Sequence, residues 1–173
     1  MSFEAVRSAN PNVAIRRAQR QDVLVIYEML RESAIVQDGV DKLCADPVNL
    51  VEDGFGTEPR FQCLLAELDG DVVGMILYFF IYSTWSSRNG LYIEDLYVRS
   101  QHRRQGIGRA LMSEAARVAV HAGCHYVEWM VLDSNSDAIK FYDSIGAVAL
   151  SECSVMRVAG EGLELLSNVR TEG

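Results

Sequence analysis

Cysteine is sparse in this chain: Cys44, Cys63, Cys124 and Cys153 form no Cys-x-x-Cys pair and no spacing with histidine that a metal site requires. A disulfide framework and a zinc module are disfavoured, and all four read as reduced thiols and small core residues. Proline is rarer still, three in 173 residues, and no low-complexity stretch, repeat or linker divides the chain. Positive charge is also short. Sixteen Lys and Arg face 24 Asp and Glu, a formal net charge of -8, which opposes a non-specific grip on nucleic-acid phosphates and welcomes small cations. No apolar run is long enough to cross a bilayer, and residues 1–12 carry Glu4 and no apolar core, unlike a signal peptide. The expectation is a cytoplasmic protein with no membrane, nucleic-acid or metal partner.

What is present is 49% hydrophobic and 23% charged content, enough for one globular domain, expected over 13–170 behind a loose tail at 1–12. Val13 to Arg17 alternates as a strand should. Asp22 is placed to cap a helix carrying Val23, Ile26, Tyr27 and Leu30 through about Ser33, and Pro47 opens a short helix reaching Glu52. Phe61 to Leu68 and Val72 to Tyr82 read as a hairpin about Asp69-Gly70, with Leu91 to Val98 as the next strand. A helix follows from Ile107 to Ala122, its apolar stripe lying on the sheet and Gly123 ending it. Tyr126 to Val131 is a further strand, Ser134-Asn135-Ser136 caps a helix over Ala138 to Ser144, and Ala147 to Leu150 and Ser154 to Val158 finish as two weaker strands.

Chemistry concentrates in Arg103-Arg104-Gln105-Gly106-Ile107-Gly108, between a strand and a helix. Glycines at a helix start let the backbone approach a ligand, and the first amides, the dipole, Arg103, Arg104 and Arg109 all favour an anion such as a pyrophosphate. A P-loop would place Lys and Ser or Thr where Arg109 and Ala110 stand, and a dinucleotide fingerprint would place Gly or Ala at Leu111. Both fail. From the loop alone a coenzyme cradle and a helix start whose glycines only relieve crowding both stand.

Arg-x-x-Gly-x-Gly after Ile93-Glu94-Asp95-Leu96-Tyr97-Val98 resembles the acetyl-CoA loop of the GNAT superfamily of N-acetyltransferases. The order of elements resembles that superfamily over nearly the whole chain. Leu50 to Gly56, Tyr82-Ser83-Thr84-Trp85, Tyr92 to Val98 and Asn135 to Ala147 are similar to its diamine (spermidine/spermine) and thialysine acetyltransferase branch. The resemblance implies an α/β (α+β) fold: a mixed, mostly antiparallel twisted sheet flanked by helices, with an acetyl-CoA cleft beside the central strand. It implies that Arg103, Arg104, Gln105, Gly106, Ile107, Gly108 and Arg109 cradle the pyrophosphate. Leu96, Tyr97 and Val98 lie along the pantetheine arm, with the main chain of Leu96 and Val98 pairing it like an added strand, and Asn135, Ala138 and Phe141 line the rest. Tyr142 matches the general acid and Glu94 the residue that draws the proton off the amine; Asp95 and Trp85 fall where the branch contacts its amine. The resemblance further implies a homodimer. Ala34 and Ser83 stand where polyamine enzymes of the branch carry acids, and this favours a shorter amine.

The reaction asks for such residues in its own right. An alkylamine has a pKa of about 10, so a nearby carboxylate must attract the cation and take its proton. The oxyanion needs fixed amides, expected at an irregular spot near Val98, and the departing thiolate needs an acid such as a phenol. Read from the residues alone, Tyr142 is a core residue, Trp85 a packing anchor, Asp95 a paired structural acid, and His102, His121 and His125 surface residues. Strict alternation would put Glu94 on one face with Tyr92, Leu96 and Val98, and Asp95 on the other with Ile93 and Tyr97. The expectation is an acyltransferase of the EC 2.3.1 type acting on a small primary amine (polyamine, thialysine or lysine-like) with acetyl-CoA as co-substrate. Its rivals are a protein N-terminal or lysine acetyltransferase and a non-catalytic acetyl-CoA-binding module.

Overall fold

A computed structural model of the chain describes residues 12–168; the expected tail, Asn12 apart, and residues 169–170 of the expected domain lie outside the described residues. The chain divides into two compact units, Met1–Leu132 and Asp133–Gly173. The first holds one sheet in the order β1 (Val13–Arg17), β2 (Gln62–Leu68), β3 (Asp71–Ser83), β4 (Arg88–Val98), β5 (Cys124–Trp129). The first three pairings are antiparallel and β4 with β5 is parallel. Asp69 and Gly70 both take positive φ, 52° and 91°, the left-handed pair that a tight hairpin demands and that Asp-Gly tolerates. Successive residues of β3 feed opposite layers. Met75 and Leu77 join Cys63, Leu65 and Tyr97 under Ile26 and Met29 of α1 (Val23–Val36), with Phe55 of α2 (Pro47–Phe55) packed against them.

The other face belongs to α3 (Ile107–His121), which buries Ile107, Leu111, Met112, Ala115 and Ala119. At Gly74 a Cβ would meet the Tyr97 carbonyl at 3.0 Å and the Leu111 side chain at 3.3 Å, so the missing side chain is what lets α3 lie close. Each fully buried Leu or Ile in these layers contributes about 2 kcal/mol.

Several expectations shift. Asp22 stands at the N-cap position of α1 but makes no cap bond there. Its carboxylate accepts from the Gln19 amide at 2.7 Å and takes a two-pronged grip from Arg16 at 2.7 and 2.9 Å. Arg16 also donates to Glu67 at 2.7 Å, tying β1, the entry to α1 and β2 together, and a fork onto a carboxylate is worth more than a cap. Helix α1 runs on to Val36, and α2 continues through Gly54 to Phe55. Of the cysteines only Cys63 is buried, whereas Cys44 and Cys153 are exposed and Cys124 is half-buried, which corrects their reading as core.

In the second unit Asn135 accepts from the Ala138 amide at 3.2 Å and caps α4 (Ser136–Ser144), as its sequence predicts. The two weaker strands expected at 147–150 and 154–158 are absent: both stretches are irregular, and among the described residues the chain goes on only to α5 (Glu161–Ser167). Alternating apolar residues make a strand only where a neighbour takes its backbone hydrogen bonds, and among the described residues no strand does so.

Candidate active site

The geometry turns on one extra residue in β4. Leu77 opposes Asp95 and Tyr78 opposes Ile93, so Glu94 has no partner on β3 and forms a β-bulge. The bulge breaks the strict alternation expected from sequence. Ile93 shares the α3 side with Leu96 and Val98, because their partners Tyr78, Ile76 and Gly74 do; Tyr92 joins Asp95 and Tyr97 on the α1 side, opposite Phe79, Leu77 and Met75. Glu94 itself is exposed. The irregular spot therefore lies at Glu94 rather than near Val98.

Asp95 is drawn into the α1 side in one row with Leu77 and Cys63. Loss of water around its carboxyl, aided by the neighbouring Glu94 charge, lifts its pKa from 3.8 to about 6. Burial of the Cys63 thiol beside it raises that group as well.

Beyond the bulge the sheet forks. β5 pairs with β4 only as far as Trp129 opposite Ile93, whereas β4 continues to Val98. The Arg99 amide returns to the Val73 carbonyl of β3 at 3.0 Å, so by alternation the peptide groups of Tyr97 also face β3 and those of Leu96 and Val98 face the fork. Arg103 Nε reaches the outward Val98 carbonyl at 3.0 Å. Tyr97, between them, sends its side chain to the α1 layer, where its hydroxyl donates to Glu32 at 3.2 Å and the Arg103 guanidinium lies 5.7 Å from its ring centre.

At the end of β4 the chain turns through Ser100–His102 into the glycine stretch. Arg104 and Gly106 take left-handed φ of 60° and 81°, and Gly106 is the residue before α3. No side chain caps this helix, so the amides of its first turn stay available for an anion. Arg103, Arg104 and Gln105 are exposed; Gly106, Gly108 and Arg109 are half-buried, and Ile107 is anchored in the core. The glycine at the left-handed position before the helix is the feature that the sequence announced.

The remaining candidates stand elsewhere. Tyr142 packs against Phe141 on α4 with ring centres 5.3 Å apart, both half-buried, and burial raises the phenol above its usual range. Trp85, at the turn between β3 and β4, is 101% exposed and so anchors no packing. His121 and His125 are exposed, and His102 is half-buried.

Sequence reasoning missed Arg99 and Glu28. Arg99 lies within 3.4 Å of Glu32 and 3.6 Å of Glu28, beside an open hollow of about 230 Å³ lined by Glu28, Arg31, Glu32 and Ile35. Glu28 and Glu32 are one turn apart on α1, and that spacing was the available signal. What brings Arg99 to them is the strand register, which the local sequence does not encode.

A sheet forked at a bulged strand, with an uncapped glycine-led helix following that strand, offers a slot for an extended ligand that ends in an anion. Residues 25–147 match the acetyltransferase (GNAT) family. The chain is 38% identical to a thialysine N-epsilon-acetyltransferase of Sus scrofa over 167 residues, covering 90% of this chain and 98% of that one. It is 39% identical to the Mus musculus protein of the same name over 164 residues, covering 88% and 96%. Among solved structures, an integron cassette protein from the mobile metagenome of V. cholerae aligns with a TM-score of 0.77 at 26% identity, over 92% of this chain and all of that one. The chain belongs to the acetyltransferase (GNAT) family and has its fold; it is an N-acetyltransferase.

Proposed function

We propose that this chain transfers acetyl from acetyl-CoA directly to a primary amine of a small molecule, a polyamine, thialysine or a lysine-like amine. The observation that carries the reading is the fork: Leu96 and Val98 turn their peptide groups into the gap left by β5, and α3 opens just beyond the end of β4. Pantetheine amides would extend the sheet there, with the diphosphate on the amides of 105–109 and on Arg103, Arg104 and Arg109. Asn135, Ala138 and Phe141 complete the coenzyme contacts in this reading.

Glu94, on the bulge, takes the ammonium proton through water. The neutral amine attacks the thioester carbonyl, whose electrons move to oxygen, where an amide freed by the bulge at Glu94 can hold the charge. On collapse the C–S bond breaks and Tyr142 gives its proton to the thiolate, while the nitrogen sheds its second proton to water, which returns one to the phenolate. A phenol raised by burial remains protonated for that task. Positioning supplies most of the acceleration, and no covalent enzyme intermediate or metal is needed. Asp95 and Trp85 contact the amine.

The named relatives align over almost their whole length, which supports an amino-acid-like acceptor. Arg99 beside Glu28 and Glu32 offsets acidic charge that a long polycation would use, favouring a short amine. The reading includes a cytoplasmic homodimer in which residues 13–170 act as one catalytic domain. A thiol-release assay over diamines, polyamines, thialysine, ornithine, lysine and peptide amino termini tests it. Turnover is expected on short amines, and turnover confined to peptides, or absent throughout, would overturn it.

A further inference from the structure

Arg103 is exposed, yet its long side chain is held at two points. Its Nε donates to the Val98 carbonyl at 3.0 Å, and its guanidinium lies 5.7 Å from the centre of the Tyr97 ring. That ring is buried and is itself fixed from another element. The Tyr97 hydroxyl donates to Glu32 Oε2 on α1 at 3.2 Å, while Oε1 of the same carboxylate lies 3.4 Å from Arg99 Nε. Tyr97 and Arg99 stand two apart in extended chain and so reach the α1 layer together. Glu28, one turn earlier on α1, lies 3.6 Å from the same Arg99 guanidinium. Arg99 thus engages both carboxylates, and the Arg103 guanidinium is left to an aromatic face rather than drawn to an acid.

We propose that Glu32 is a positioning residue for the coenzyme: by holding the Tyr97 hydroxyl it fixes the aromatic seat from which Arg103 meets the diphosphate. This deepens the acetyl-CoA site proposed above and rests on it. An arginine already oriented loses less rotamer freedom when it binds, and that saving appears as affinity. A ring against the guanidinium face also leaves its edge donors free for phosphate oxygens. The Glu32 carboxylate has one oxygen on Tyr97 and the other beside Arg99, so it acts through them and not on the coenzyme. Its position on α1, 65 residues before Tyr97 in the chain, links the helix of one sheet face to a loop that serves the other.

The test is calorimetric titration of acetyl-CoA into the full-length parent, Glu32→Ala, Glu32→Gln, Arg103→Ala and the Glu32→Ala/Arg103→Ala double variant. Glu32→Ala should weaken binding about three- to fivefold, the worth of a cation–aromatic contact, and Arg103→Ala about tenfold. The double variant should bind no worse than Arg103→Ala alone, because the two residues act in series. Glutamine keeps an oxygen that accepts from Tyr97, so Glu32→Gln should restore affinity to within about twofold of the parent. Should Glu32→Ala fail to fold, Tyr97→Phe, which removes only the hydroxyl, carries the same comparison with and without Arg103→Ala. A parent that binds no acetyl-CoA would overturn the proposal together with the site it rests on. With a parent that binds, any of three results would overturn the positioning role alone: full affinity in Glu32→Ala, losses that multiply in the double variant, or a glutamine no better than alanine.

Discussion

Replacing Asp95 by asparagine should make the protein more stable at neutral pH while impairing its activity. The bulge at Glu94 turns this carboxyl into the α1 layer beside Leu77 and Cys63, where losing water lifts its pKa from 3.8 to about 6. An acid whose pKa rises on folding binds its proton more readily in the folded chain. Between about pH 4 and 6, then, the folded state holds more protons, and stability falls as pH rises. At roughly 1.4 kcal/mol per pH unit, the full cost above pH 6 is about 3 kcal/mol. Asparagine keeps the shape and drops the charge, though its amide must still be accommodated, so a gain of about 1–3 kcal/mol is expected at pH 7.5. Near pH 4, where Asp95 is mostly protonated in the folded chain, the gain should nearly vanish. Urea melts of both proteins at the two pH values read it directly, and other titrating groups cancel in the difference. Asparagine that destabilises at pH 7.5, with the loss shrinking toward pH 4, would show that the carboxylate is held by a partner and would refute the reasoning. A stabilising substitution that also slows turnover is what a charge kept for function produces.

Three further outcomes follow from the proposed mechanism and from the ion pairs of the fold. On the proposed role of Tyr142 as proton donor, Tyr142→Phe should lower turnover by about 100-fold or more while leaving acetyl-CoA affinity intact; single-turnover kinetics and calorimetry separate the two. Asp22→Asn should cost about 2 kcal/mol at pH 7, because the Arg16 grip and the Gln19 bond hold that carboxyl below its usual pKa. That stability is present above the unfolded pKa and is lost as pH falls through the folded one, so in melts the variant and the parent should converge in acid. Glu94→Gln should lower kcat/KM most at the acid end of the assay range, where more of the amine arrives protonated and needs the base; a uniform loss across pH in initial-rate measurements would instead assign Glu94 a binding role.

Much of the frame was legible because its signals are local. Asp69-Gly70 announces its turn, Pro47 its helix start, Asn135 its cap, and Gly106 before an apolar stripe announces α3. What escaped depends on partners distant in sequence. The bulge has no residue signature of its own, since Glu94 and Asp95 read as ordinary alternation until β3 shows one place too few. Asp22 has the composition of a cap, and only the approach of Arg16 from β1 draws it elsewhere. Strand-like residues at 147–158 form no strand among the described residues, and Arg99 meets Glu28 and Glu32 through register alone. In the candidate site, the uncapped helix start was readable from the glycine spacing. The grouping of Arg99 with Glu28 and Glu32 was not, because it joins β4 to α1 through contacts distant in sequence.

The central claim is that the amides at the start of α3 and the forked edge of β4 hold acetyl-CoA. Calorimetric titration of acetyl-CoA into the parent protein and into Gly106→Val tests it most directly, because φ of 81° at that position is costly for a β-branched residue. Saturable binding at one site per chain, weakened at least about tenfold in a variant that stays folded, is the predicted result. No binding to the parent, or equal affinity in the two folded proteins, would contradict it.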